Sequence, residues 1–114
     1  MANENSTTIT APAVVALSPN QVFAMLVEPA RRSILLELAR GQALPAVVLK
    51  TGARLRVDAT LKHLTALRAA GLVETRPDPA DGRRLLYGLV PSVKVVTTPE
   101  GALAIDFGCC LLRQ

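Results

Sequence analysis

A mainly helical α+β fold with two β-hairpins is predicted by three observations. The first is a helical period over 57–70, in which Val57, Thr60, Leu64 and Leu67 share one face while Asp58, Lys62, Thr65 and Ala69 share the other. The second is Gly71, which can take the left-handed conformation that ends a helix and is followed at once by the strand-forming pair Leu72-Val73. The third is the strand pattern of 83–90, which puts Leu85, Tyr87 and Leu89 on one face and Leu86, Gly88 and Val90 on the other. A helix that runs through a glycine stop directly into a hairpin is the arrangement of a winged helix-turn-helix, in which the hairpin is the wing.

The elements before that helix follow from their caps. Ser18-Pro19 opens a first helix over 19–27, because a serine side chain accepts an amide hydrogen bond and proline at the first helical position gives up nothing. Glu28-Pro29 opens a second helix through Arg40, with Ile34, Leu35, Leu38 and Ala39 as its buried stripe and Gly41 as its stop. Leu44-Pro45 begins a short third helix to about Thr51, and Gly52 is expected to end it and supply the turn. Arg54-Leu55-Arg56 then leads into helix 57–70. The wing has a first strand from Leu72 to Arg76, a loop over Pro77-Asp78-Pro79-Ala80-Asp81-Gly82 and a return strand from Arg83 to Val90. Past Pro91 the strand pattern resumes with Val93 to Thr97, turns at Thr98-Pro99-Glu100-Gly101 and returns over Ala102 to about Leu112, a second hairpin. The domain organisation expected is a disordered tail over 1–17, a winged core over 18–92 and a hairpin extension over 93–114.

Composition narrows the function. With 114 residues there is one domain and one modest core, and with aromatic residues at 3% and no Trp that core is built of Leu, Val and Ala. The net charge of +4 favours an anionic partner, nucleic acid first. Its placement says more. Arg54, Arg56, Lys62, Arg68, Arg76, Arg83 and Arg84 gather around the fourth helix and the wing, against Asp58, Glu74, Asp78 and Asp81. An enzyme is disfavoured, because one His, no paired carboxylates at helical spacing and no glycine-rich phosphate loop leave little to catalyse with. No cofactor is expected. The uncharged run from Asn5 to Val27 is not read as a membrane or export segment, since it is Ser/Thr-rich at first, holds Pro12 and Pro19 and follows no cation. A cytoplasmic protein is expected.

Two stretches, Glu28-Pro29-Ala30-Arg31-Arg32-Ser33-Ile34-Leu35-Leu36-Glu37-Leu38 and Leu61-Lys62-His63-Leu64-Thr65-Ala66-Leu67-Arg68-Ala69-Ala70-Gly71-Leu72-Val73, resemble the ArsR-type winged-helix transcriptional regulators. The first is similar to that family's proline-arginine-isoleucine-leucine helix, the second to its histidine-leucine recognition helix ending in Ala-Gly-Leu-Val. Asp81-Gly82-Arg83-Arg84 with Tyr87 resembles the family's wing. The resemblance spans residues 20–91 in order. It implies a dimeric cytoplasmic repressor that leaves its DNA when an effector binds. Two departures stand out: the strand pattern after Pro91 replaces the helix that usually helps close the dimer, and the third helix lacks the cysteine pair of many metal-sensing members.

If duplex DNA is the partner, a recognition helix sets its N-terminal outward side chains against base edges while other cations hold phosphates. Asp58, Lys62 and Thr65 are the candidates for the groove. Lys62 would donate to guanine N7 and O6, Thr65 would bond a base or a phosphate, and Asp58 would accept from cytosine N4 or serve only as a cap. Arg54 and Arg56 are candidates for phosphates. Arg83 and Arg84, joined by Arg76, are candidates for the minor groove or its backbone.

The remaining polar residues have structural readings. His63 lies toward the core side of its helix and is expected to be packed and hydrogen-bonded; Asp78 and Asp81 are expected to form turns. Arg31 and Arg32 are expected to pair with acidic neighbours or touch phosphate. Cys109 and Cys110 are expected in a strand, pointing to opposite faces and packing as small hydrophobes; the competing reading is a sensor of soft metalloids or oxidants. The other alternative is a winged-helix protein-interaction module that does not bind DNA.

Overall fold

The computed structural model describes residues 17–114. The tail expected over 1–17 therefore lies outside the described residues except for Leu17, which packs against the core. Helix α1, Pro19–Leu26, opens with a reciprocal cap: Ser18 Oγ accepts from the Gln21 amide at 3.2 Å and Gln21 Oε1 accepts from the Ser18 amide at 2.8 Å. Helix α2, Pro29–Leu38, is the centre of the molecule. Its Ile34, Leu35 and Leu38 are buried, and Gly41, at φ 97°, turns the chain away.

Helix α3, Ala46–Ala53, starts and ends later than the sequence suggested. Leu44 is drawn into a two-way backbone pairing with Tyr87, at 2.9 and 2.8 Å, which ties the connection before α3 to the base of the wing. Gly52 is helical rather than terminal. The left-handed residue is Arg54, at φ 56°, where the amide of Leu55 reaches back to the Lys50 carbonyl at 2.9 Å. A left-handed arginine costs roughly 1 kcal/mol more than glycine there, and the capping hydrogen bonds offset it.

Helix α4, Val57–Ala69, buries Thr60, Leu64 and Leu67. The Thr60 hydroxyl is satisfied within the helix, donating to the Arg56 carbonyl at 3.1 Å. Val57, assigned to the same apolar face by its spacing, is 38% exposed, so the buried stripe of α4 begins only at Thr60. Gly71, at φ 81°, ends the helix as expected, and the Leu72 amide bonds to the Leu67 carbonyl at 3.0 Å. Leu72 and Val73 then enter the core directly.

The wing is an antiparallel hairpin of β1, Val73–Asp78, and β2, Asp81–Leu89, paired from Val73↔Leu89 to Pro77↔Leu85. Its strands run further than the composition of 77–82 implied. Pro77 is tolerated because a two-stranded ribbon leaves one edge of each strand unpaired, and the register shifts just after it, so that Asp78 faces Asp81. Asp78 and Asp81 do form the turn: Asp78 Oδ1 accepts from the Ala80 amide at 2.9 Å and Asp81 Oδ1 from that of Arg83 at 3.1 Å.

The C-terminal segment contains the expected hairpin, β3, Lys94–Thr97, with β4, Leu103–Asp106, and adds a third antiparallel strand, β5, Leu111–Arg113. The run 102–112 is thus two strands, broken where Gly108 takes φ 87° and Asp106 Oδ1 accepts from its amide at 2.8 Å. This sheet is part of the one core. Val93, Ile105, Phe107 and Leu112 join Val22, Leu35, Leu49, Leu64, Leu67 and Leu72 in a single buried cluster around α2. Each fully buried Leu or Ile contributes roughly 1.5–3 kcal/mol, so the sheet stabilises the helices that it touches.

Candidate nucleic-acid interface

The turn Arg54-Leu55-Arg56 delivers the chain into α4 so that the helix keeps its polar face in solvent. Asp58, Lys62 and Thr65 are all exposed there, and Lys62 has no ion-pair partner among the described residues. Arg54 and Arg56 are exposed at the N-terminal end of the same helix. Arg56 Nε lies 3.5 Å from Asp58 Oδ1, both side chains being largely in water, and so loose an exposed pair is readily exchanged for a stronger anion. The Thr65 hydroxyl donates to the Leu61 carbonyl at 2.8 Å. Its donor is therefore engaged, which leaves the hydroxyl oxygen to a partner only as an acceptor.

At the wing tip, Arg83 stands in solvent, 95% exposed, with Nε 3.5 Å from Asp81; Arg84 Nε is 3.5 Å from Asp78. The turn-forming carboxylates thus also restrain the arginines. Arg76 is exposed but is set apart: it lines a cavity between the wing and the segment Gly41–Ala43, together with Glu74 and Gly88. The structure therefore brings Arg54, Arg56, Asp58, Lys62 and Thr65 together at α4 and Arg83 with Arg84 at the wing tip, and places Arg76 on the wing's flank.

Behind α4, His63 Nδ1 accepts from Arg31 Nε at 3.2 Å, the hydrogen-bonded packing that its position suggested. Arg31 also donates to the Ala24 carbonyl at 3.3 Å, and Arg32 to that of Leu26. Both arginines close the C-terminal end of α1, whose last carbonyls have no partner inside the helix. The acidic partners expected for them are not what holds them. Sequence reasoning missed this role because a capping arginine, unlike a capping serine, acts from another helix.

Cys109 and Cys110 lie in the turn between β4 and β5, not in a strand, so their side chains do not alternate between faces: the sulfurs are 4.0 Å apart, Cys109 exposed and Cys110 half-buried. Burial, helped by the hydrogen bond and charge of Cys109 and by the charge of Asp106, raises the Cys110 pKa. Among the described residues no three His, Cys, Asp or Glu side chains gather as a metal site, and no helix is long and apolar enough to cross a membrane.

No family model and no curated protein matches the chain. Solved structures do. A homodimeric winged helix-turn-helix DNA-binding domain from Mycobacterium bovis, described as a possible ArsR-family transcriptional regulator, is 28% identical over 61% of this chain and 61% of its own, with a TM-score of 0.53. The fold is a winged helix-turn-helix resembling the ArsR type. A predicted DNA-binding transcriptional regulator from Escherichia coli is 27% identical over 61% of this chain and 70% of its own, with a TM-score of 0.53. ZitR from Lactococcus lactis shares the fold at 23% identity and a TM-score of 0.51, over 54% of this chain. The chain spans only 41% of the length of ZitR and 61% of that of the Mycobacterium domain. The Mycobacterium and Escherichia coli structures are described as a possible and a predicted transcriptional regulator.

Proposed function

We propose that this winged helix is a sequence-specific double-stranded DNA-binding transcriptional regulator, a repressor acting as a homodimer in the cytoplasm. Helix α4 enters the major groove and the wing reaches the adjacent backbone or minor groove. One observation carries the reading: the polar face of α4 is uncovered, with cations before it and at the wing tip. Lys62 is the specificity contact to guanine, Thr65 accepts from a base amino group, and Asp58 either accepts from cytosine N4 or releases Arg56 to a phosphate. Arg54, Arg56, Arg83 and Arg84 hold the backbone, and Arg76 adds positive charge on the wing's flank. The dimer is supported by the homodimeric Mycobacterium domain and by the short address that a single recognition helix can read.

The test is equilibrium binding of the full chain to labelled duplex DNA across a salt series. Saturable binding that weakens steeply with salt is expected, because each neutralised phosphate releases counterions. No saturable binding at low salt would leave the winged helix as a protein-interaction module.

A further inference from the structure

The exposed side of α4 is not uniformly polar. Leu61 is 39% exposed on the shoulder between the buried stripe and Lys62, and Val57 is 38% exposed one turn before it. Thr65 follows one turn after Leu61, its hydroxyl tied back to the Leu61 carbonyl at 2.8 Å, so that the hydroxyl's donor is engaged beside Leu61. Val57 and Leu61 thus form a short apolar ridge along the flank of the helix, at i and i+4.

Exposed apolar side chains gain free energy from an apolar partner, and the surroundings of this ridge say which partner fits. Arg54, Arg56, Lys62 and Arg68 are all exposed on the same helix or at its entrance, against the single carboxylate of Asp58. The partner is therefore strongly anionic yet offers isolated apolar groups at its surface. Duplex DNA meets both conditions in its major groove, where the C5-methyl of thymine is the apolar group among the base edges. Val57 and Leu61 lie in the N-terminal half of α4, the end that approaches bases most closely in helix-turn-helix docking.

We infer that Leu61, flanked by Val57, is a specificity-determining contact to thymine C5-methyl groups, beside the guanine contact of Lys62. This assignment rests on the DNA-reading function proposed above. Neither residue was marked as a base contact by its spacing, because Val57 fits the buried period and Leu61 borders it.

The test uses the full chain and a duplex that it enriches from a randomised pool, remade with deoxyuridine in place of thymidine at one position at a time. Uracil differs from thymine only in lacking the methyl group. At one or two positions per half-site the exchange is expected to weaken binding about four-fold, the value of one buried methyl, while Leu61→Ala binds the two duplexes equally there. Leu61→Ala places a strong helix former on an exposed helix, and an unchanged circular dichroism spectrum confirms the fold. Equal affinity of the unaltered protein for every uracil-substituted duplex would overturn the thymine assignment alone, as would an undiminished uracil penalty in Leu61→Ala. A fall in mass on light scattering of Leu61→Ala, with the unaltered protein indifferent to uracil, would give the ridge to a second copy of the chain instead. Failure to enrich any duplex would overturn the DNA-reading function itself.

Discussion

Gly52 and Gly71 show how one residue type does opposite things in this chain. Gly52 sits inside α3 with helical backbone, and a Cβ there would meet only Glu37 Oε1 at 4.0 Å, an ordinary contact. Gly71 has open space around it but holds φ 81°, which L-residues adopt at a cost. Gly52→Ala is therefore expected to stabilise the protein by about 0.5–1 kcal/mol and Gly71→Ala to destabilise it by at least about 1 kcal/mol, both measured by urea unfolding. A drop in stability for Gly52→Ala would contradict the helical assignment. Composition alone could not separate the two glycines, because the C-terminal end of α3 is fixed by Arg54 and by hydrogen bonds to the Lys50 carbonyl that no propensity encodes. The thiols give a second prediction at this scale. With the Cys110 pKa raised by burial, its alkylation by iodoacetamide should follow a pH curve displaced upward from that of the unfolded chain, since thiolate is the reactive form and folding disfavours it. Coincident curves for folded and unfolded chain would remove the burial effect.

Among the elements, α4 and the wing are expected to contribute differently to binding. Lys62→Ala should reduce the preference for selected over random duplex by about 1–3 kcal/mol while leaving random-duplex affinity nearly unchanged. Equal losses on both would make Lys62 a phosphate contact. Arg83→Ala with Arg84→Ala should weaken all duplexes together and flatten the salt dependence, as expected of arginines proposed to meet phosphates. An unchanged slope would remove the wing from the interface. The helix-to-strand passage through Gly71 was legible in the sequence because cap, period and strand onset agree within a few residues. The break between β4 and β5 was not, because Asp106, Gly108 and the two cysteines make a tight turn inside an otherwise apolar run. Of the interface, the polar face of α4 could be read from its period alone. The position of Arg76 on the wing's flank could not, since it depends on which side of the ribbon meets Gly41–Ala43.

At the level of the whole molecule, a single core links the C-terminal sheet to α4. Ile105 is fully buried in the cluster that also holds Leu35, Leu64 and Leu67. Ile105→Ala is expected to cost about 2–5 kcal/mol and to lower one cooperative transition in which α4 melts with the sheet. A separate, earlier melting of the sheet alone would show two independent units. The central claim is that the outward face of α4, with the wing beside it, is what meets duplex DNA. Backbone amide chemical shifts, followed by NMR as a selected duplex is added to the full chain, test it most directly. The largest changes are expected over Val57–Thr65 and 76–84, with the 94–113 sheet nearly unmoved; changes confined to the sheet or to α1, with α4 undisturbed, would contradict it.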